Sequence, residues 1–315
     1  MSKGAEFRKL LREQPYVFAG GCFDPLTAKL AEQNGMLANY LSGYSFGLAY
    51  YGRGDLQFYG RSEIVDCAKR ITAITTIPLI SDADTGYGDA VQTQMTVEEF
   101  ERAGVAGIHI EDQEAPKRCG HIAGKRCIPL KKAQGKIKAA VDAKKDKDFI
   151  IIARTDAHGA VGGGMQDAID RGIAYADAGA DMLWIELPSP DREPAIKFIE
   201  AVRKHHPNMI GAFNYSSSFK WCKEKNPLTF EELGEIGYKY IFITLFAIHA
   251  GTTGLIDNYY ALSQWKHRAQ IELEGRRGGD YPSHHIIGDI PKYQEIERKY
   301  DEQAADHQKS SDGFI

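Results

Sequence analysis

At residues 116–121 the sequence reads PKRCGH, a thiol set between two cations on one side and a glycine and an imidazole on the other. Lys117, Arg118 and His121 place Cys119 in a positive field, which favours the thiolate and equips it for proton exchange near neutral pH. A basic surface loop with an idle cysteine accounts for these six residues equally well, so the rest of the chain must decide. A second constellation is acidic. SDADTGYGD puts Asp82 and Asp84 two apart, on one side of an extended strand end, with Asp55 in the preceding loop and Glu111 at the next strand end. Four carboxylates in one pocket repel, and burying them without a counterion is costly, so a cation is expected. All-oxygen ligands favour Mg²⁺, or Mn²⁺, over zinc, with several ligands reached through water. The competing role for Asp82 or Asp84 is to cap the next helix. Arg154 offers a carboxylate a bidentate grip, and Asn214, Ser216, Ser218 and Thr244 offer amide and hydroxyl groups. The expected substrate is a small di- or tricarboxylate.

These residues are far apart in sequence, so the fold must gather them. Eight apolar, β-rich runs recur: YVFAG (16–20), MLANYLSG (36–43), IPLISDAD (77–84), VAGIHIED (105–112), FIIIARTD (149–156), MLWIELP (182–188), MIGAFNYS (209–216) and YIFITLF (240–246). Continuous rather than alternating hydrophobicity indicates parallel strands covered on both faces, and the segments between them carry helical spacing. Eight β/α units predict an α/β fold, a (β/α)8 TIM-type barrel whose C-terminal strand ends carry the site. Ser42, Asp82, Asp84, Glu111, Arg154, Glu186, Asn214 and Thr244 all fall at such ends. An open doubly wound sheet is the alternative, but no G-x-G-x-x-G follows an early strand. GGG at 162–164 is either a phosphate cradle or a flexible connection. The long connection 113–148 holds PKRCGH and is expected to close over substrate as a lid. Domain limits are expected at 1–256 for the barrel and 257–315 for a helical extension ending in a polar tail, KSSDGFI.

Composition narrows the partners. A chain of 315 residues, 43% hydrophobic and 26% charged, is an ordinary globular one. A net charge of −4 with no basic stripe gives no footprint for nucleic acid or a membrane surface, leaving a small molecule. Five scattered cysteines without a C-x-x-C pair indicate neither disulfides nor zinc, and the N-terminus does not resemble a secretory signal, so a cytoplasmic location is expected.

From Phe18 to His249 the chain resembles the isocitrate lyase and phosphoenolpyruvate mutase superfamily, and within it the isocitrate lyases. KRCGH is similar to the family's catalytic-loop signature, and SDADTGYG, HIEDQ and ARTDA to its metal and carboxylate motifs. YLSGY, FNYSSSFKW and FITL (242–245) are similar to isocitrate lyase segments, with Tyr44 where the family carries tryptophan, in a chain shorter than typical bacterial or plant members. The resemblance implies Mg²⁺ on Asp82 directly, with Asp55, Asp84 and Glu111 mostly through water. It implies Cys119 as the acid-base thiol, Lys117, Gly120 and His121 in the closing lid, Tyr40 as a candidate base and Glu186 among the catalytic residues. Ser42, Gly43, Tyr44 and Arg154 would bind a glyoxylate part, and Asn214, Ser216, Ser218 and Thr244 a succinate part. The implied reaction is retro-aldol cleavage of isocitrate to glyoxylate and succinate, the lyase step of the glyoxylate cycle, with Cys119 protonating the succinate carbanion. The rivals are 2-methylisocitrate cleavage to pyruvate and succinate, which a bulky Phe242 beside the methylene would disfavour, and another carbon–carbon lyase or hydrolase of the superfamily. Carbon–phosphorus enzymes lack the cysteine motif, and a barrel kept only for binding is the non-catalytic alternative. Finally, Leu255, Tyr259, Leu262 and Trp265 form one stripe of a helix beyond the barrel. The resemblance implies that this helix is exchanged between subunits, giving a homotetramer of helix-swapped dimers.

Overall fold

The computed structural model describes residues 1–187, 192–215, 221–276, 284–301 and 303–304. Eight parallel strands close into a barrel in chain order: β1 (Val17–Cys22), β2 (Asn39–Leu41), β3 (Leu79–Asp82), β4 (Gly107–Glu111), β5 (Ile150–Thr155), β6 (Met182–Ile185), β7 (Ile210–Asn214) and β8 (Tyr238–Ile243). Each lies inside or overlaps one of the apolar runs, and β8 pairs back on β1, which excludes the open doubly wound sheet.

Side chains alternate along each strand between two cores. Leu79, Ile108, Ile110, Ile151, Ala153 and Leu183 face outward into the layer shared with the helices. Tyr40, Ile80, Ile152, Met182, Trp184, Ala212, Tyr240 and Phe242 fill the barrel interior. The helix Lys3–Glu13 supplies Phe7 to that interior, edge-on to Tyr240 at 5.0 Å. The pleat then sets the site. Two residues beyond the interior positions Ile80, His109, Ile152, Trp184, Ala212 and Phe242 stand Asp82, Glu111, Arg154, Glu186, Asn214 and Thr244. Polar groups thus begin where the apolar filling stops, at the C-terminal rim.

The connection after β2 contains the helices Gly43–Tyr51 and Arg61–Thr72, with Asp55 between them. The connection after β4 starts with an isolated bridge between Gln113 and Cys127, which closes the loop carrying Cys119, and continues into the helix Leu130–Ala143. Gly164 begins the helix Met165–Asp177 after two positive-φ glycines, Gly162 (+76°) and Gly164 itself (+155°), a turn that only glycine adopts without strain. None of the five cysteines forms a disulfide.

The chain divides into two compact units, Met1–Ala250 and Gly251–Ile315. The first holds the whole barrel. Along the helix Phe246–Trp265, Leu255, Tyr259, Leu262 and Trp265 are 55%, 67%, 46% and 52% exposed. With the helix His267–Gly275, Leu255, Tyr259 and Leu262 border a groove of about 580 Å³. Among the described residues no helix is long and apolar enough to cross a membrane. The expected polar tail lies outside the described residues.

Candidate active site

A cleft with about 380 Å³ of empty space opens at the C-terminal rim. Asp55, Asp82, Arg154, Glu186, Asn214 and Thr244 line it, together with Tyr40 and Tyr44. Lys117, Cys119, Gly120 and His121 reach it from the loop after β4. The structure therefore brings together residues from seven of the eight strand ends and their loops.

On the acidic side, Asp82 Oδ2 accepts from Gly43 N at 3.1 Å and Oδ1 from Asp84 N at 2.9 Å. Neither aspartate caps the following helix, since that position belongs to Asp89. The extended geometry expected through Asp84 does not hold. Strand β3 ends at Asp82, Asp84 has φ +44°, and a turn rather than the pleat returns its carboxylate to the cluster. Burial pushes Asp82 up, Asp84 up to about 6 and Glu111 well above the carboxylate range. Asp84 Oδ2 and Glu111 Oε1 are buried without a hydrogen-bond partner. Lys117 supplies part of the missing positive charge, its Nζ 2.5 Å from Asp55 Oδ1 and 3.0 Å from Asp84 Oδ1. Among the described residues no three His, Cys, Asp or Glu side chains are already arranged as a metal cage. The donor chemistry nevertheless fits a hard divalent cation: buried carboxylates in excess of the nearby cations, with oxygen atoms that nothing satisfies.

Arg154 departs from expectation in one respect. Its bidentate face is taken within the protein, Nε and Nη2 each donating to Asp156 at 2.9 Å, because a guanidinium this buried needs a fixed counter-charge. Nη1 is turned toward Glu186 at 3.9 Å, and the group lies 4.3 Å over the Trp184 ring.

Cys119 is 8% exposed, its amide donating to Asp55 O at 3.0 Å and its Sγ 3.5 Å from His121 Nδ1. The other ring nitrogen, Nε2, is 3.1 Å from Glu186 Oε1. Burial disfavours the imidazolium, but the hydrogen bonds to Cys119 and Glu186 and the Glu186 charge outweigh it, and His121 is raised to about 9. Burial likewise opposes ionisation of Glu186, yet Arg154 and His121 prevail and hold it below the ordinary range. Tyr40 stands at the floor, its hydroxyl 2.8 Å from His109 Nε2. Burial and the Asp82 charge drive this phenol well above its ordinary value, which suits a neutral hydrogen-bonding group rather than one that ionises.

Thr244 donates to Asn214 Oδ1 at 2.9 Å, which orients the amide beside the cleft. Ser42 and Gly43 do not line the cleft: Ser42 caps the helix Gly43–Tyr51 by accepting from Ser45 N, and Gly43 holds Asp82. Asp84 and Glu111 are buried and likewise do not line the cleft. Ser216 and Ser218 lie outside the described residues. Phe242 does not line the cleft either. It stacks on Tyr40 with centroids 4.3 Å apart and meets Trp184 edge-on at 4.9 Å, inside the barrel, while Leu245 occupies the rim.

Four contributors escaped sequence reasoning. His109 is buried beside Asp82 at 3.3 Å, and burial and the Arg154 charge keep it neutral. Trp184 supports Arg154, Asp156 pairs with it, and the buried Lys125 bonds both Asp156 and Gly120 O. The interior alternation would have marked His109 and Trp184, and the two-residue step from Arg154 would have marked Asp156.

A closed parallel barrel whose rim gathers buried carboxylates, an anchored arginine and a loop thiol paired with histidine defines a (β/α)8-barrel enzyme. Residues 7–256 match the phosphoenolpyruvate phosphomutase family model, and the chain belongs to that family, within the superfamily that also contains the isocitrate lyases. It is 46% identical to the isocitrate lyase of Haloferax volcanii over 99% of this chain and 91% of that one. It is 42% identical to the 2-methylisocitrate lyase of Shewanella oneidensis over 59% of this chain and 63% of that one. Among solved structures, phosphonopyruvate hydrolase in complex with oxalate and Mg²⁺ superposes with a TM-score of 0.82 at 26% identity, over 95% of this chain and 99% of the other.

Proposed function

We propose that the protein cleaves isocitrate between C2 and C3, giving glyoxylate and succinate. The observation that carries this reading is the Cys119–His121–Glu186 chain lining one cleft together with the Asn214–Thr244 pair, in a sequence 46% identical to an isocitrate lyase. Asp82, with Asp55, Asp84 and Glu111 around it, would hold Mg²⁺ or Mn²⁺, which supplies Lewis-acid polarisation of the hydroxy-acid end when bound. Arg154, fixed by Asp156, provides the positive wall for the glyoxylate carboxylate, with Tyr44 in the same cleft lining. Glu186, the cleft carboxylate not assigned to the metal, takes the proton of the C2 hydroxyl. As it does so, the C2–O bond becomes the carbonyl of glyoxylate, and the C2–C3 bond pair moves onto C3 and delocalises into the adjoining carboxylate. The Glu186–His121–Cys119 chain later returns that proton to the thiolate. Asn214 donates to that growing charge, and Thr244 holds the amide in place. Cys119 then gives its proton to C3. The thiolate left behind is stabilised by His121, which the Glu186 contact keeps charged near neutrality. The loop carrying Cys119 acts as the lid that keeps bulk water from the carbanion.

One observation favours a second reading, 2-methylisocitrate cleavage: Phe242 lies under Tyr40 and leaves the space for a methyl group to be set by Leu245. Incubation with isocitrate or 2-methylisocitrate and Mg²⁺, following glyoxylate and pyruvate, separates them. Faster pyruvate release than glyoxylate release overturns the first reading. The same reading places the enzyme in the cytosol, at the lyase step of the glyoxylate cycle, as a homotetramer of helix-exchanged dimers. The exposed stripe Leu255, Tyr259, Leu262 and Trp265 supports that assembly, and sedimentation showing a fully active monomer would rule it out.

A further inference from the structure

Lys125 is a cation with no place in the chemistry above. It is absent from the cleft lining, and its side chain is 2% exposed. A lysine is buried to this degree only where its charge is met, and here two groups meet it: Nζ donates to Gly120 O at 2.5 Å and to Asp156 Oδ1 at 3.1 Å. The first acceptor lies in the turn between Cys119 and His121. The second is the carboxylate that holds Arg154, and Asp156 Oδ1 accepts from Arg154 Nη2 as well. Asp156 is itself fixed through its amide, which donates to Asp112 Oδ1 at 2.9 Å, and Asp112 is held in turn by Arg171 and Tyr175. The backbone of Lys125 is tied down separately, its carbonyl accepting from Val161 N at 2.9 Å.

We infer that Lys125 is a positioning residue that latches the cysteine turn to the Arg154–Asp156 pair, so that the lid seats only when the anion-gripping arginine is in place. Gly120 shows how close the seating is. A Cβ there would lie 2.6 Å from Glu186 Cγ and would also collide with Arg154, so the turn packs directly on the two groups it must cover. Other contacts hold the turn as well, Lys117 to Gln57, Asp55 and Asp84, Cys119 N to Asp55 O, His121 to Glu186, and Arg118 N to Gln113 within the same connection, but none of these goes to Asp156. Lys125 is the contact that reaches the strand-end arginine through Asp156. A substrate has to enter beneath Cys119, so the turn must lift and return. A charge-assisted bond to the Gly120 carbonyl biases that equilibrium toward the seated state.

The inference rests on the proposed roles of Cys119 and Arg154, and its test does not need substrate. In the full chain, alkylation of Cys119 by iodoacetamide, followed by mass spectrometry of the peptide that contains it, reports how often the turn lifts. Lys125→Met is expected to speed alkylation about tenfold to a hundredfold, the effect of losing the bond from a charged group to Gly120 O. It should also lower the melting temperature while melting stays cooperative, because Arg154 still meets the Asp156 charge. Lys125→Arg, which keeps the charge, is expected to restore most of the protection. With isocitrate, Lys125→Met should lower kcat more than it raises KM, because the latch acts on the closed complex. Unchanged alkylation in Lys125→Met overturns the inference. Loss of cooperative melting in both variants also overturns it, assigning Lys125 to barrel stability instead. Faster alkylation in a protein that fails to cleave isocitrate leaves the latch standing and removes the substrate reading alone.

Discussion

Lys117 reaches from the cysteine loop to Asp55, its ammonium 2.5 Å from Oδ1, and so ties the loop that carries the thiol to the acidic cluster. One contact thereby joins the two constellations that sequence reasoning had to treat separately. It also sets an electrostatic problem. Among the described residues the lysine and arginine ion pairs of Asp55, Asp84 and Glu111 are with Lys117 and Arg154, and Arg154 is already paired with Asp156.

A divalent cation would resolve that imbalance, and the expected response to substitution follows. Asp82→Ala should abolish metal-dependent turnover, whereas Asp84→Ala should weaken Mn²⁺ binding by about 10–100-fold, as for loss of a supporting group around a metal. Binding must also displace protons. Because burial pushes Asp84 up to about 6, the affinity of the metal-free protein for Mn²⁺ should fall as pH drops through 6. Calorimetric titration with Mn²⁺ at pH 5 and 7.5 measures both effects, and equal affinity at the two values would speak against the carboxylate cluster.

Cys119→Ser keeps the size of the side chain and removes the acidic thiol. Turnover should fall by roughly 10²–10⁴, the range for a lost proton donor, while the melting temperature and Mn²⁺ affinity stay near those of the parent. Near-normal turnover would take Cys119 out of the reaction.

The His121 charge leaves a signature in stability. Its folded value of about 9 lies above the ordinary 6.5, so its contribution is complete below pH 6.5 and is lost as pH rises through 9. Parent and His121→Gln should therefore differ most in melting temperature near pH 6 and converge above pH 9. A difference that grows with pH would contradict the Glu186–His121–Cys119 arrangement.

The fold and most of the rim were legible because both follow from local pattern. Continuous apolar runs fix parallel strands, and polar residues at their C-terminal ends converge once the barrel closes. Pairing across strands was not legible. That Asp156 rather than substrate holds the bidentate face of Arg154, and that Lys125 bonds it from 31 positions away, depends on how loops fold back over the rim. Asp84 reached the cluster for a reason the pleat does not supply, a left-handed turn. Phe242 was misplaced through the same limit. FITL gives the order of residues, but which of them points up into the cleft depends on where β8 ends, and it ends at Ile243.

That strand end decides how the enzyme should discriminate between substrates that differ by one methyl group. Phe242 is 1% exposed and packed between Tyr40 and Trp184, whereas Leu245 borders the cleft near Thr244 and Asn214. Shortening Leu245 to alanine opens space at the rim without touching the barrel filling. The ratio of kcat/KM for 2-methylisocitrate over isocitrate should then rise by about 10–200-fold, the range for one methylene in an apolar pocket. Phe242→Leu should act elsewhere. It leaves a gap beneath Tyr40, so the melting temperature should fall while the substrate ratio stays within a few-fold of the parent. Measuring glyoxylate and pyruvate release for both variants, beside their thermal melts, distinguishes the two positions. A large change in ratio for Phe242→Leu with none for Leu245→Ala would return the methyl pocket to the barrel interior and show that Tyr40 moves aside when substrate binds.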